Sequence, residues 1–292
     1  MKKVLFFAVS VLMMGAAVSC KEKPVDPTPT TKEVTTAKEA LVVHLPFEST
    51  QKVVAVGTGV SYGNIVGDAA LDEVGFIGKA YANKGNDNTA EAYLKLNLAA
   101  NNAFTKLESM TFSAWVKLPA GKEAKGGLLS FNGTATEPVW PSFVFLFDNY
   151  NSDTGEQWFN GRVDFLTVEG KPAMWPNSAS TEYAKKDTWI HIARTFDAQS
   201  GHWVNYANGV KVGEGDFLVS DKPVGGIKSA FASDCNALYI GGWASRIEGK
   251  AADAWQGYFP GAIDEVRFYN MPLSETQINS LYKEELAISL DQ

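Results

Sequence analysis

Apolar and polar positions alternate with a period of two along much of this chain, and helical spacing occurs near its end. Residues 110–118 give the cleanest alternation: Phe112, Ala114, Val116 and Leu118 fall on one side, Thr111, Ser113, Trp115 and Lys117 on the other. The stretch 189–214 predicts three strands in succession. Residues 189–196 are rich in aromatic and β-branched types, turn chemistry at 197–201 interrupts them, and residues 202–207 run into Asn208-Gly209. Asn-Gly tolerates the positive φ of both central positions of a type I′ turn, so it predicts a tight hairpin. That turn would set Ala207 opposite Val210, Asn205 opposite Val212 and Trp203 opposite Glu214.

Further strands are predicted at 41–47, 78–81, 92–96, 127–131, 143–148, 162–168, 237–241 and 261–269, while 51–72 reads as loop with short strands. Ile278, Leu281, Tyr282 and Leu286 then share one face of a helix that Ser274 and Gln277 open as a capping box. About a dozen short strands without βαβ alternation predict an all-β protein, a two-sheet antiparallel jelly-roll sandwich with a short C-terminal helix.

With 292 residues, 45% of them hydrophobic, the chain suffices for one large β domain. Its net charge is −7, and its 26 basic residues are scattered rather than clustered, which argues against a nucleic-acid footprint or adhesion to anionic headgroups. Lys2 and Lys3 precede an apolar run from Val4 to Ala17 that is too short to span a bilayer. Ala17-Val18-Ser19-Cys20 resembles a bacterial lipobox, predicting a signal peptide over 1–19 and an acylated Cys20. Lys21-Glu22-Lys23 partly resembles the tag of outer-membrane lipoproteins displayed at the cell surface. The expected location is therefore the bacterial outer membrane, with the lipid as the membrane contact. Pro24, Pro27 and Pro29 among Thr, Lys and Glu predict an extended tether over 20–39, followed by the folded domain at 40–287 and a tail at 288–292. Cys235 then has no disulfide partner and reads as a small buried hydrophobe.

Several strings together, in this order along residues 41–286, resemble the concanavalin A-like, laminin-G-type jelly roll of bacterial secreted proteins. They are Leu41-Val-Val-His-Leu-Pro-Phe47, Gly78-Lys-Ala80, Thr111-Phe-Ser-Ala-Trp115, Trp189-Ile-His-Ile-Ala193, Tyr206-Ala-Asn-Gly209, Ile240-Gly-Gly242, the run Gly261-Ala-Ile-Asp-Glu-Val-Arg-Phe-Tyr269, and Leu273-Ser274. The resemblance implies a scaffold shared by lectins, glycosidases and adhesion modules, so the function has to be argued from the site. It also implies a structural Ca²⁺ near the first and last strands, where Glu48 and Asp264 match. Calcium takes six to eight oxygen ligands, largely carboxylate and carbonyl.

A glycosidase of this fold would show Glu-x-Asp-x-x-Glu on one strand. The nearest string, Arg162-Val-Asp164-Phe-Leu-Thr-Val-Glu169, begins with an arginine, and its two acids are spaced for opposite faces. Asp264 and Glu265 are adjacent and also diverge on a regular strand. A non-catalytic protein is therefore expected.

The eight tryptophans are the stronger signal. Trp115, Trp189 and Trp203 sit within strands and read as core. Trp140, Trp158, Trp175, Trp243 and Trp255 lie in loops or at strand ends. Indole stacks on the C–H face of a sugar, so Trp140, Trp158 and Trp175, with Asp148, Asn149 and Arg162 as hydroxyl partners, form the candidate ligand site. The expected ligand is a polysaccharide or oligosaccharide captured at the outer membrane, with proteins of a glycan-uptake system as partners. A protein-binding adhesion module, or a glycoside hydrolase whose acids come from distant strands, are the alternatives.

Overall fold

β-branched and aromatic residues suit a pleated, half-buried surface, and the period-two stretches become strands for that reason. The computed structural model describes residues 33–48, 58–85, 88–118, 126–132, 143–147, 161–166, 172–175, 187–216, 218–219, 222–223, 235–250 and 256–292. In chain order the strands are β1 (Leu41–Leu45), β2 (Val60–Gly67), β3 (Ala69–Val74), β4 (Lys79–Asn83), β5 (Ala92–Leu98) and β6 (Met110–Lys117). Next come β7 (Gly126–Phe131), β8 (Phe143–Phe147), β9 (Gly161–Leu166), β10 (Pro172–Trp175), β11 (Trp189–Phe196) and β12 (His202–Ala207). The series closes with β13 (Val210–Asp216), β14 (Leu218–Val219), β15 (Lys222–Pro223), β16 (Ala237–Ile240) and β17 (Ala262–Tyr269). Helices α1 (Ala244–Ile247) and α2 (Glu275–Ser289) lie on either side of β17 in sequence.

Two large antiparallel sheets result, as the alternation predicts, and β14 pairs with β15 in a separate two-stranded ladder. An eight-stranded sheet runs β13-β12-β11-β6-β17-β4-β3, with β1 also paired to β17; a seven-stranded sheet runs β10-β9-β8-β7-β16-β5-β2. Their facing sides enclose one apolar core. Phe112 and Phe268 of the first sheet meet Phe131 and Phe145 of the second, and Phe104, from the 3₁₀ turn Ala103–Lys106, fills the space between Phe131 and Phe268 at 4.9 and 5.0 Å. Edge-to-face and tilted ring pairs at these separations add to the area term.

The Asn208-Gly209 turn forms with both φ positive, at 48° and 75°, and Ala207 stands opposite Val210 as the turn chemistry dictates. Beyond that the register departs from expectation. A bulge at Val212 of β13, opposite the step from Asn205 to Tyr206, sets Asn205 opposite Gly213 and Trp203 opposite Gly215, in place of Val212 and Glu214. The reason is steric: a Cβ on residue 215 would lie 2.6 Å from the Trp203 ring, so only glycine can face that indole.

Strand β6 also differs from a one-sided pattern. Phe112, Ala114, Val116 and Leu118 join the main core as expected, yet Thr111, Ser113 and Trp115 are buried too. A central strand covered on its second face needs no polar side, and α2 covers this one. The capping box forms: Gln277 N donates to Ser274 Oγ at 3.3 Å and Ser274 N donates to Gln277 Oε1 at 2.9 Å. Thr111 fixes the approach, its Oγ1 donating to Met271 O and accepting from Leu273 N, both at 2.8 Å. Ile278 and Leu281 bury in a second cluster with Tyr206, Tyr269 and Leu273. Each fully buried side chain of this size contributes about 1.5–3 kcal/mol. The helical face runs Ile278, Leu281, Glu285: the third buried position holds a carboxylate, while Leu286 is half-buried.

Ala37 and Ala40 also enter this cluster, and Thr35 and Thr36 bond to Glu284 of α2. This packing begins within the stretch that the sequence assigns to the tether.

Candidate functional site

Of the residues expected to grip a sugar, Trp140, Trp158, Asp148 and Asn149 lie outside the described residues, as does Cys20. Trp175 ends β10 and Arg162 lies in β9, so the fold puts both on neighbouring strands at one edge of the seven-stranded sheet. Trp175 is in register with Val163, and Arg162 with Leu146 of β8. Trp243 is fully buried and plugs the body beside α1; Trp115 and Trp203 are likewise core residues. Trp189 is half-buried, with Lys117 Nζ 5.5 Å from its ring centroid. Trp255 lies outside the described residues. Cys235 is a buried free thiol within the main core, as its composition suggests.

Glu48 and Asp264, far apart in sequence, converge on the turn 75–79. Asp264 Oδ2 accepts from Ile77 N at 2.9 Å and its Oδ1 from Glu265 N at 2.8 Å. Glu48 Oε1 accepts from Lys79 N at 3.3 Å, and its carboxylate occupies the space a Cβ on Gly78 would need. Burial, then the charge of Glu265, raises the Asp264 pKa well above the usual carboxylate range, and burial raises that of Glu48. Neither carboxylate has an ion-pair partner among the described residues. Both are hard oxygen donors, suited in kind to a cation such as calcium, but two carboxylates are fewer than the oxygens calcium requires. Among the described residues no group of three or more His, Cys, Asp or Glu could hold a metal. The remaining ligands would have to be backbone carbonyls and water.

Asp264 and Glu265 do not diverge, because β17 is not regular there. The pairing of β17 with β6 shifts between Asp264 and Arg267, and Glu265 has a positive φ of 51°. Ile263, Val266 and Phe268 enter the main core, so the bulge leaves both acids and Arg267 outside it. Strand β4 pairs with β17 before this bulge and β1 after it.

On that outer side lies a cluster that sequence reasoning missed. Arg267 pairs with Glu265 Oε2 at 2.6 Å and with Glu285 Oε1 of α2. Glu285 Oε2 accepts from Trp115 Nε1 at 2.7 Å, and Glu265 Oε2 lies 2.7 Å from His44 Nε2. The Trp115 indole stacks on Phe76 and Tyr282, and the His191 ring lies 5.3 Å from it. His191 Nε2 is 3.5 Å from Glu285 Oε2, and neither ring nitrogen makes a hydrogen bond.

One guanidinium serves two buried carboxylates, so their charges separate. Burial opposes ionisation of Glu265, but Arg267 and His44 outweigh it and lower its pKa. Burial pushes Glu285 up to about 7, with Arg267 opposing and Glu265 reinforcing the rise. Burial pulls His191 down to about 3, aided by the Arg267 charge, so His191 is neutral at physiological pH. Glu285 is 0% exposed and Glu265 3%, beneath α2. No substrate reaches acids in that position; the cluster positions α2 on the sheet. Only an apolar-face carboxylate at position 285, set against the Arg267 of the last strand, signals it in sequence.

The two sheets, the Greek-key-like crossovers and the terminal helix define a jelly-roll sandwich of the lectin type. The model of the Laminin_G_3 family, described as the concanavalin A-like lectin/glucanases superfamily, matches residues 87–279, and the chain belongs to that family. No curated protein matches it. Among solved structures it is similar to the receptor-binding domain of botulinum neurotoxin mosaic serotype C/D, at TM-score 0.52 and 12% identity, over 84% of this chain and 51% of that one. The binding domain of Paraclostridial Mosquitocidal Protein 1 gives TM-score 0.52 and 16% identity over 84% of this chain and 52% of that one. The chain thus spans about half the length of these toxin domains. Domain 4 of AbnA, an extracellular arabinanase from Geobacillus stearothermophilus solved with arabinotriose, gives TM-score 0.45 and 18% identity over 83% of this chain and 98% of that one. At such identities these likenesses concern the fold alone.

Proposed function

We propose that the chain is a non-catalytic carbohydrate-binding protein, lipid-anchored through Cys20 and displayed at the bacterial outer membrane, where it captures polysaccharide for a glycan-uptake system. Membership of a lectin/glucanase family is the observation that carries the reading. The arrangement of acids supports the non-catalytic part: Glu265 and Glu285 are buried and paired to Arg267, and Glu48 and Asp264 bond the backbone of the turn 75–79. Helix α2 covers part of the outer side of the eight-stranded sheet and α1 packs on β16 and β5 of the other, so the reading puts the ligand at the strands and loops of the β8-β9-β10 end of the seven-stranded sheet. Trp140, Trp158, Trp175, Asp148, Asn149 and Arg162 belong to those loops and strands. The indoles would stack on sugar rings, while the polar groups would bind hydroxyls.

Affinity electrophoresis through gels cast with different polysaccharides tests this. Retardation in at least one gel, lost when Trp140, Trp158 and Trp175 are together replaced by Ala, is the expected outcome. Free migration in every gel, with capture of a protein partner instead, would replace the lectin reading with an adhesion module. Glu48 and Asp264 are proposed to hold a structural Ca²⁺ that stabilises the turn 75–79 against the last strand and takes no part in chemistry.

A further inference from the structure

Trp189 differs from the other tryptophans whose burial is described. Trp115, Trp203 and Trp243 are 2%, 5% and 0% exposed, whereas Trp189, at the start of β11, is half-buried. Register puts it at the end of a row that crosses five strands of the eight-stranded sheet. Trp189 stands opposite Lys117, Lys117 opposite Ala262, Ala262 opposite Ala82, and Ala82 opposite Ala70. Directly opposite residues share a face. Their chain neighbours Ile190, Val116, Ile263, Tyr81 and Leu71 all enter the main core, so the row lies on the outer face. Helix α2 covers the adjacent row, where Tyr282 stacks on Trp115 and Glu285 accepts from its Nε1.

A chain of ion pairs runs along this row. Glu73 of β3 meets Lys84 at 2.6 Å and Lys117 of β6 at 3.8 Å, and Lys117 meets Asp187 at 4.0 Å. The contact from β3 to β6 passes over β4 and β17, and the alanines at 82 and 262 leave room for it. Lys117 Nζ also lies 5.5 Å from the Trp189 ring centroid. Ion pairs that stay this close to water contribute little to stability, so the fold alone does not account for grouping them beside an indole.

We propose that this row is a second glycan subsite, in which Trp189 stacks on a sugar ring of a neutral polysaccharide while Glu73, Asp187 and Lys84 bind its hydroxyls. The subsite rests on the carbohydrate-binding reading and lies apart from the β8-β9-β10 end of the other sheet. Two cations and two carboxylates cancel along the row, which suits an uncharged sugar better than an acidic one. A half-buried indole offers only part of its surface, so this subsite is the weaker of the two. It adds to the first by avidity on a long glycan and does not retard the chain alone.

The test uses soluble starch, galactomannan and arabinoxylan as neutral probes, with polygalacturonate as the anionic comparison. The unmutated chain is oxidised with N-bromosuccinimide with and without each polysaccharide, and oxidation is located by peptide mass spectrometry. A neutral polysaccharide that retards the chain in gels should slow oxidation of Trp189 at least threefold, with the buried Trp115 unoxidised in either sample. Trp189→Ala should weaken retardation by that polysaccharide at least threefold, and Trp189→Tyr, which keeps a stacking ring, should hold it within twofold. Retardation with Trp189 oxidised equally fast would overturn the subsite and leave the lectin reading standing. Protection by polygalacturonate equal to that by the neutral probes would overturn the neutral ligand class. Free migration through all four polysaccharides would remove the lectin reading, and the subsite with it.

Discussion

Glu285→Gln isolates the electrostatic cost of placing a second carboxylate on a guanidinium already paired to Glu265. The substitution keeps the shape, but its single amide oxygen accepts from either Trp115 Nε1 or Arg267 Nη1, and the other donor loses its acceptor at every pH. Arg267 retains Glu265 at 2.6 Å, so no charge is orphaned. Glu285 has a folded pKa of about 7 against 4.5 unfolded. Between those values the native state binds more protons than the unfolded chain, so stability is fully present below pH 4.5 and declines as pH rises through 7. A difference of this size corresponds to about 3 kcal/mol once the group is fully ionised. Urea denaturation followed by tryptophan fluorescence at pH 5 and pH 8 reads the effect. Between pH 5 and pH 8 the stability of the variant relative to the unmutated chain should rise by about 2–3 kcal/mol. A difference that is the same at both pH values would refute the reasoning, because ionising Glu285 would then carry no cost in the folded state.

Other expectations follow from single contacts. Gly215→Ala places a methyl 2.6 Å from the Trp203 ring and should cost about 1–3 kcal/mol in urea denaturation. Ser274→Ala removes the acceptor for Gln277 N and should lower stability by about 1 kcal/mol, measured in the same way. Added Ca²⁺ at about one hundred times its dissociation constant should raise stability by about 2.7 kcal/mol over a chelator-treated sample. In thermal melts that rise should vanish in Asp264→Asn, and an identical rise in the variant would exclude Asp264 as a ligand.

Strands β1, β4 to β9, β11 to β13, β16 and β17, the Asn208-Gly209 turn and the α2 capping box were legible because each is encoded over a few neighbouring residues. What escaped has a tertiary cause. The bulge in β13 exists because Trp203 needs a glycine opposite it, and no local rule couples residue 203 to residue 215. The left-handed Glu265 cancels the period of two, so that Asp264 and Glu265 leave the core on the same side. Trp115 reads as core and is buried, but only the coordinates show that α2 covers it and that Glu285 meets Arg267 there. The pairing of Glu48 with Asp264 on one turn came from the family resemblance, since residues so distant in sequence carry no shared pattern. Trp243 shows why a loop indole needs coordinates: its place beside Gly and Ala leaves exposure and plugging both open, and it is fully buried.

The central claim, that this jelly roll holds sugars without cutting them, is tested most directly by incubating the protein with the polysaccharide that retards it and analysing the recovered glycan by mass spectrometry. The account predicts saturable binding with the chain length of the glycan unchanged after prolonged incubation. New reducing ends, or the absence of binding to every polysaccharide tried, would contradict it.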